Sequence, residues 1–246
     1  MDGGAFPTLI SILTMFFLGS AAGLSQSLLS ALLLTLTILL GLGMTFLVSR
    51  LLSATVLKGI PSSFTLELPP YRRPQLGKVL VRSVFDRTLF VLGRAITVAA
   101  PAGILLWVMA NIGVNGQSLL AWASGFLDPL GRFMGLDGVI LIAFILGFPA
   151  NEIVIPIIIM AYLANGSLIE MNSLSAMKDL FLAQGWTLTT AVCTLIFVLF
   201  HWPCSTTCLT IYKETKSLKW TLAAIAIPTV CGILCCSAAA FVLRLF

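Results

Sequence analysis

Long, uninterrupted apolar segments dominate this chain of 246 residues and restrict what it can fold into. Six of them alternate with shorter, more polar connections: 5–23, 27–49, 95–112, 138–164, 186–201 and 219–243. About 20 helical residues cross a hydrocarbon core of ~30 Å, and most of the segments approach or exceed that length. They lack the period-two alternation of barrel strands. We therefore expect an all-α fold, a polytopic transmembrane helical bundle with broken or re-entrant helices, in the cell membrane.

The number and placement of charged residues support a membrane protein and argue against a soluble or nucleic-acid-binding one. Charged residues make up 9% of the chain and hydrophobic ones 59%, which is too little polar surface for a soluble domain. A net charge of +5 would suit nucleic acid, but the basic residues lie between apolar segments, where cytoplasmic loops carry them. Residues 50–94 are especially basic and predict a cytoplasmic linker containing an amphipathic helix over 75–93. We expect a lipid bilayer, and no nucleic acid, as the chain's surroundings.

The fourth apolar segment contains an unusual polar stretch, Gly147-Phe-Pro149-Ala-Asn151-Glu152-Ile-Val-Ile-Pro156. A carboxylate at mid-depth is costly unless it meets a cation, a proton pathway or a partner. Prolines on both sides unwind the helix, and irregular backbone is tolerated at that depth only where it is buried or lines a cavity. Broken helices with polar residues form the binding sites of many transporters. The alternative is that Glu152 is protonated and hydrogen-bonded for packing.

A second polar stretch, His201-Trp-Pro203-Cys204-Ser-Thr-Thr-Cys208, follows the fifth apolar segment. Thiolate and imidazole groups suit late first-row divalent metals, and Glu152 would add an oxygen ligand. Pro203 fits the first turn of a helix, which would place Cys204 and Cys208 on one face. A closed zinc site normally has four ligands, so we expect an open transit site. His201 equally fits a membrane-edge residue bonded to backbone, and Cys208 remains open between the two roles.

Four stretches of the sequence form a specific combination: Glu67-Leu-Pro-Pro-Tyr-Arg-Arg-Pro-Gln75, Phe85-Asp-Arg-Thr-Leu-Phe-Val-Leu-Gly-Arg94, Gly147 to Pro156, and His201 to Thr210 with Lys213-Glu-Thr. Together they resemble the C-terminal half of the ferrous iron transport protein B (FeoB) family, and the similarity runs from about Phe6 to the end. In that family a GTP-binding G domain precedes a polytopic domain with two related gate segments, also called nucleoside-recognition domains.

The resemblance implies a division of the chain and a set of functional residues. It places the second gate at 95–210, between the basic linker (50–94) and a basic loop with a last helix (211–246). The apolar segments themselves predict a transmembrane hairpin over 1–49, with a turn at the small residues Gly19, Ser20, Gly23 and Ser25. Cys204 would be the second-gate cysteine of the iron path, with Asn151 and Glu152 as the polar break facing it. The metal candidates are Cys204, Glu152, Cys208 and His201, and the transport pathway adds Asn151, Ser205, Thr206, Thr207, Pro149 and Pro203.

The implied function is passage of Fe²⁺ as the transported ion, with no permanently bound cofactor and no enzymatic activity. The G domain, its P-loop and the first gate have no counterpart in this sequence. We therefore expect a separate G-domain-bearing half, or a full-length homologue, as partner. Two alternatives stay open: a gate-domain transporter of an organic solute such as a nucleoside, and a structural or regulatory membrane subunit without flux of its own.

The predicted membrane topology conflicts with the distribution of positive charge. If residues 50–94 are cytoplasmic and every later apolar segment crosses the bilayer, the lysines of 213–219 fall on the outside, against the positive-inside rule. A re-entrant break at Pro149–Pro156, or at Pro203–Thr210, would resolve this conflict.

Overall fold

A computed structural model describes residues 6–18, 24–55, 89–114, 116–163 and 173–245, with the isolated positions 77, 81 and 85. Most of the predicted linker 50–94, including most of its amphipathic helix over 75–93, lies outside the described residues, and residues 90–94 already belong to the next helix. Gly19, Ser20 and Gly23 of the predicted turn lie outside them as well, whereas Ser25, also assigned to that turn, is already helical.

The described residues form helices almost throughout, which confirms the predicted all-α membrane bundle. The elements are α1 (Phe6–Leu13), continued by a π-helical turn (Thr14–Leu18), α2 (Leu24–Ala54), α3 (Phe90–Asn111), β1 (Gly113–Val114), β2 (Gln117–Ser118), α4 (Leu119–Phe133), α5 (Gly138–Leu146), a 3₁₀ turn (Asn151–Ile153), α6 (Val154–Leu163), α7 (Leu174–Ala183), α8 (Leu188–Phe200), α9 (Ser205–Thr215) and α10 (Leu218–Leu245). The two strands pair antiparallel as a two-residue hairpin.

Within the described residues, three stretches are long and apolar enough to cross a membrane by themselves: Leu28–Ala54, Leu188–Thr215 and Leu218–Leu245. The second consists of α8 and α9, which are separated by the non-helical residues 201–204. The chain is thus a multi-pass membrane protein that contains a broken span.

The apolar segment 138–164 does not cross the bilayer as its length suggested. The Tyr162 hydroxyl, near the end of α6, donates a hydrogen bond to the carboxylate of Asp137, at the start of α5. Trp186 Nε1 donates to the same Tyr162 oxygen at 2.7 Å. Helices of this size are ~13–15 Å long, about half of a hydrocarbon core. Helices α5 and α6 therefore form a re-entrant hairpin, which returns to the end of the bundle where it begins, and each arm is long enough for only about half of a crossing.

Residues 119–133, between the third and fourth apolar segments, form the amphipathic helix α4. The Ser118 hydroxyl caps it by accepting from the Ala121 amide at 3.2 Å. The axis of α4 is bent by 111° from that of α5, so the two helices do not form one straight span. Trp122 and Phe126 stack on each other and are 62% and 76% exposed. Such a helix suits the membrane–water boundary, where aromatic side chains are enriched.

The two ends of the bundle carry different charges. The C-terminal half of α2 shares a cavity with α9 and the start of α10, so Arg50 lies at the same end as the loop between α9 and α10. This basic end carries Arg50, Lys213, Lys216 and Lys219 beside Glu214. At the opposite, hairpin end, the Arg244 guanidinium of α10 donates to the Arg132 carbonyl of α4. With the re-entrant hairpin, these lysines lie at the same end of the bundle as Arg50, which agrees with the positive-inside rule.

The tightest packing surrounds the hairpin. Fully buried side chains of α1, α5, α6 and α8 meet there, including Leu9, Phe144, Ile157 and Phe197. Phe144 and Phe197 make an edge-to-face contact with centroids 4.9 Å apart. By contrast, α2 and α10 expose most of their leucines, as expected where the solvent is lipid. The hairpin is thus held rigidly by the core.

Candidate metal passage

The tip of the hairpin is a tight, irregular turn. Helix α5 ends at Gly147, where an added Cβ would lie 2.6 Å from Val154 Cγ2 and 2.9 Å from the Ala143 carbonyl oxygen. Only glycine therefore lets the chain return so closely upon itself. Pro149 supplies no amide donor, and Ala150 is extended before the 3₁₀ turn. The tip thus breaks the helical hydrogen-bond pattern at mid-depth.

The broken span α8–α9 provides the second irregular backbone. His201 ends α8 in an extended conformation, and its amide still donates to the Phe197 carbonyl at 2.7 Å. Pro203 follows, and Cys204 is the extended N-cap residue of α9. Proline disfavours helical geometry in the residue before it, so Trp202 cannot readily continue α8. The sequence itself therefore interrupts this span near its middle.

The tip and the break meet directly. The Ser205 amide, in the first turn of α9, donates to the Phe148 carbonyl at 2.9 Å. The Ser205 hydroxyl also donates to the Pro149 carbonyl at 3.4 Å. Two interrupted helices thus approach each other about halfway along the bundle, with the N-terminus of α9 at their junction. We call residues 147–153 and 201–207 the junction.

The two candidate cysteines have different surroundings. Cys204 is half-buried, and its sulfur lies 3.0 Å from Thr206 Oγ1 and 3.2 Å from Thr207 Oγ1. Cys208 is buried and donates to the Pro203 carbonyl at 3.5 Å. Because Cys204 precedes the helix instead of lying within it, the two thiols do not share one regular helical face. Cys204 is therefore the more accessible of these two thiols.

His201 is buried at the break and not at a membrane edge. It is 7% exposed, and its Nδ1 lies 2.8 Å from the Val198 carbonyl. Its ring lies 5.1 Å from that of Phe144 on α5 and 6.2 Å from that of Trp202. The imidazole therefore packs between the broken span and the hairpin.

The polar residues of the tip point in different directions. Asn151 is buried, being 4% exposed, whereas the adjacent Glu152 is exposed. Across the described ranges, no three His, Cys, Asp or Glu side chains lie close enough together to hold a metal ion. The junction instead offers sulfur, hydroxyl, amide and backbone carbonyl groups. Such a set can replace part of an ion's hydration shell without trapping it.

Sequence reasoning did not single out the backbone groups of this site. The Phe148 carbonyl carries no residue-type signal, and neither does the Ser205 amide that meets it. It also missed the residues of α2 and α10 that border the break, among them Thr45, Ser49 and Cys231. The spacing of Thr45 and Ser49, four residues apart along one helix face, was the available signal.

Comparisons with known proteins agree with the earlier resemblance. The family model described as "Nucleoside recognition" (Gate) matches residues 92–218, and the one described as "Ferrous iron transport protein B C terminus" matches residues 34–86. The chain is 31% identical to the Fe(2+) transporter FeoB of Staphylococcus aureus (strain COL) over 177 residues, which cover 68% of this chain and 25% of that protein.

Two other relatives have similar sequence identity and coverage. Identity is 31% over 170 residues to the Fe(2+) transporter FeoB of Synechocystis sp., covering 68% of this chain and 26% of the relative. It is 28% over 186 residues to that of Leptospira interrogans, covering 65% and 26%. The chain thus matches about a quarter of the length of these relatives. No solved structure matches it significantly.

Proposed function

Since the chain belongs to the Gate (nucleoside recognition) family and corresponds to the C-terminal part of FeoB, we propose that it forms part of the membrane passage of a ferrous iron transporter. In this proposal Fe²⁺ is the transported ion and the junction is the point that it passes. Residues 1–49, 50–94, 95–210 and 211–246 act as hairpin, linker, gate and terminal span. The chain is a permease component, without catalysis of its own, and works with a G-domain-bearing half.

The hydrogen bond between the Ser205 amide and the Phe148 carbonyl carries the proposal, because it joins two broken helices at mid-depth. Discontinuous helices that meet near the membrane centre are a common way to build an ion site. Cys204 is half-buried beside this bond and would be the soft ligand for Fe²⁺. His201, Cys208 and the hydroxyls of Thr206 and Thr207 would complete its surroundings.

The tip would supply oxygen ligands. Pro149 and Asn151 hold the turn in which backbone carbonyls are not all used by a helix. Glu152 is exposed, so its carboxylate is available to a hydrated cation arriving at the junction. A passage needs ligands that bind weakly enough to release the ion, which fits one thiol with scattered oxygens better than a closed metal site.

Orientation follows from the charges of the two ends. The basic end, with Arg50 and the lysines of the α9–α10 loop, would face the cytoplasm. The hairpin end, where the carboxylates of Asp128 and Asp137 balance Arg132 and Arg244, would face outward. Fe²⁺ would then travel from the hairpin end, through the junction, to the basic end.

The test is uptake of radiolabelled Fe²⁺ into proteoliposomes that contain the complete transporter, including its G-domain half. Replacing Cys204→Ser or Glu152→Ala should lower uptake about tenfold, the usual order for loss of a metal-tuning group. Matched controls are Cys235→Ser on α10 and Glu214→Ala at the basic end, which should leave uptake near the native rate. Uptake unaffected by the first two substitutions would overturn the site assignment.

The other two functions predict different results in the same vesicles. Nucleoside flux that does not depend on metal would identify a transporter of organic solutes. Co-purification with a full-length homologue, without any change in its Fe²⁺ flux, would identify a structural or regulatory subunit.

A further inference from the structure

A cavity of about 670 Å³ extends from the break toward the basic end, on the side of the span away from the hairpin. Its walls are the C-terminal half of α2, residues 198–203 with α9, and the first half of α10. Neither the family comparisons nor the sequence motifs assign a role to it. The described residues that line it include no Asp, Glu, Lys or Arg.

Polar groups of the cavity come from three different elements. Helix α2 contributes Thr45, Ser49 and Ser53, which follow one another at intervals of four residues and which we call the hydroxyl row. Helix α9 contributes Thr207, and α10 contributes Cys231. A polar residue in a membrane helix usually faces a protein interior or a water-filled space, so convergence from three elements indicates an aqueous lining.

The hydroxyl groups of this row can accept hydrogen bonds or contact a cation while they donate to their own helix. The Thr45 hydroxyl donates to the Gly41 carbonyl of its own helix at 2.8 Å. Its oxygen lone pairs stay available, since a hydroxyl has one donor and two acceptor positions. Hydroxyl oxygens are suitable partners for a partly hydrated divalent cation.

Cys231 lies close to the break at residues 201–204 because the next residue, Gly232, lets α10 approach the end of α8. A Cβ on Gly232 would lie 3.1 Å from the Phe200 carbonyl oxygen, so glycine allows α10 to approach the end of α8. Cys231 therefore borders the cavity beside the break, and its sulfur is a soft ligand. Cys235, one turn further along α10, does not line it.

The cavity extends from the junction toward the basic end, which is the direction proposed for Fe²⁺ transport. Helix α9 begins at the junction and runs to the basic end, a distance of ~16 Å. The cavity follows it from Thr207 to Ile211, beside the hydroxyl row on the facing helix. An ion that leaves Cys204 would meet this lining next.

We propose that the cavity is a water-filled exit chamber of the cation route, in which Cys231 and the hydroxyl row contact Fe²⁺ between the junction and the basic end. The proposal rests on the proposed function. The chamber holds the ion weakly, because its lining is uncharged and offers only scattered ligands. Its volume allows the ion to keep several of its waters, which occupy ~30 Å³ each in the liquid.

The native cysteines test this without mutation. Inside-out vesicles that contain the complete transporter are treated with a cationic, membrane-impermeant methanethiosulfonate, and labelling is followed at each cysteine by mass spectrometry. Cys231 should react about tenfold faster than Cys235, since thiols in apolar surroundings react slowly. Fe²⁺, kept reduced with ascorbate, should slow Cys231 about threefold at twice its dissociation constant and leave Cys235 unchanged.

Cysteine substitutions on α2 extend the test to the other wall. Thr45→Cys and Ser49→Cys should label like Cys231, while Leu36→Cys and Leu47→Cys, on the opposite side of α2, should label like Cys235. Equal labelling of Cys231 and Cys235, or labelling that Fe²⁺ does not slow, would overturn the chamber. Fe²⁺ uptake by the same vesicles is a separate readout: uptake that depends on Cys204 without protection of Cys231 rejects the chamber and retains the junction.

Discussion

Replacing Ser205→Pro isolates the contact that joins the hairpin to the broken span. Ser205 is the first residue of α9, a position where proline is well tolerated because the amide there has no intrahelical partner. Cys204 has φ −63° and ψ 160°, which is compatible with a following proline. The substitution therefore leaves α9 intact and removes the amide that donates to the Phe148 carbonyl at 2.9 Å.

The size of the effect follows from the lost hydrogen bond. Its net contribution is about 0.5–1.5 kcal/mol, and an acceptor left buried without a partner costs about 1–3 kcal/mol. A loss of about 1–3 kcal/mol corresponds to about 5- to 150-fold in an equilibrium constant. The amides of the tip, including Phe148, Ala150 and Ile153, should exchange with deuterium faster by that factor.

Ser205→Ala is the matched control. It keeps the amide and removes only the hydroxyl, whose bond to the Pro149 carbonyl is long at 3.4 Å. It should change the deuterium exchange rate of the tip amides far less than Ser205→Pro does. Both variants should show the same helical circular dichroism. If both variants exchange at the native rate, the tip does not depend on this contact, and the junction as described is wrong.

Three further substitutions test the hairpin and its orientation. Gly147→Ala should destabilise the protein by about 1–3 kcal/mol, because its Cβ meets neighbouring atoms, whereas Gly43→Ala, which has no atom within 4 Å, should not; thermal unfolding in detergent separates them. Tyr162→Phe removes two hydrogen bonds and should unfold the protein at a lower temperature, while Tyr212→Phe, on a half-exposed ring, should shift the transition little. Ser217→Cys should react with an impermeant thiol reagent from the cytoplasmic side alone, and reaction from the outside would reverse the orientation.

The membrane class and the two breaks could be predicted from sequence because they depend on local chemistry. Apolar length predicts helices in lipid, and Pro149 and Pro203 interrupt hydrogen bonding wherever they lie. Soft side chains beside Pro203 predict a metal passage there, which stays a prediction. Each of these inferences needs only a few neighbouring residues.

The return of the chain within segment 138–164 could not be predicted in the same way. Its apolar length fits one full crossing as well as two half-crossings. The difference depends on the Gly147 turn and on Tyr162 reaching Asp137, 25 residues earlier in the chain. The same limit explains Asn151 and Glu152: they are adjacent in sequence, and only the direction of a 3₁₀ turn decides that one is buried and the other exposed.

The central claim is that the tip of a half-depth hairpin lies against the broken span, and a disulfide cross-link measures this directly. A 2.9 Å backbone hydrogen bond holds Phe148 and Ser205 close enough for a disulfide, which needs Cα atoms about 4.4–6.8 Å apart. In a background with Cys204→Ala and Cys208→Ala, the pair Phe148→Cys and Ser205→Cys should oxidise readily. Phe148→Cys with Ile211→Cys, further along α9, should not. Failure of the first pair, or equal cross-linking of both, would contradict the junction.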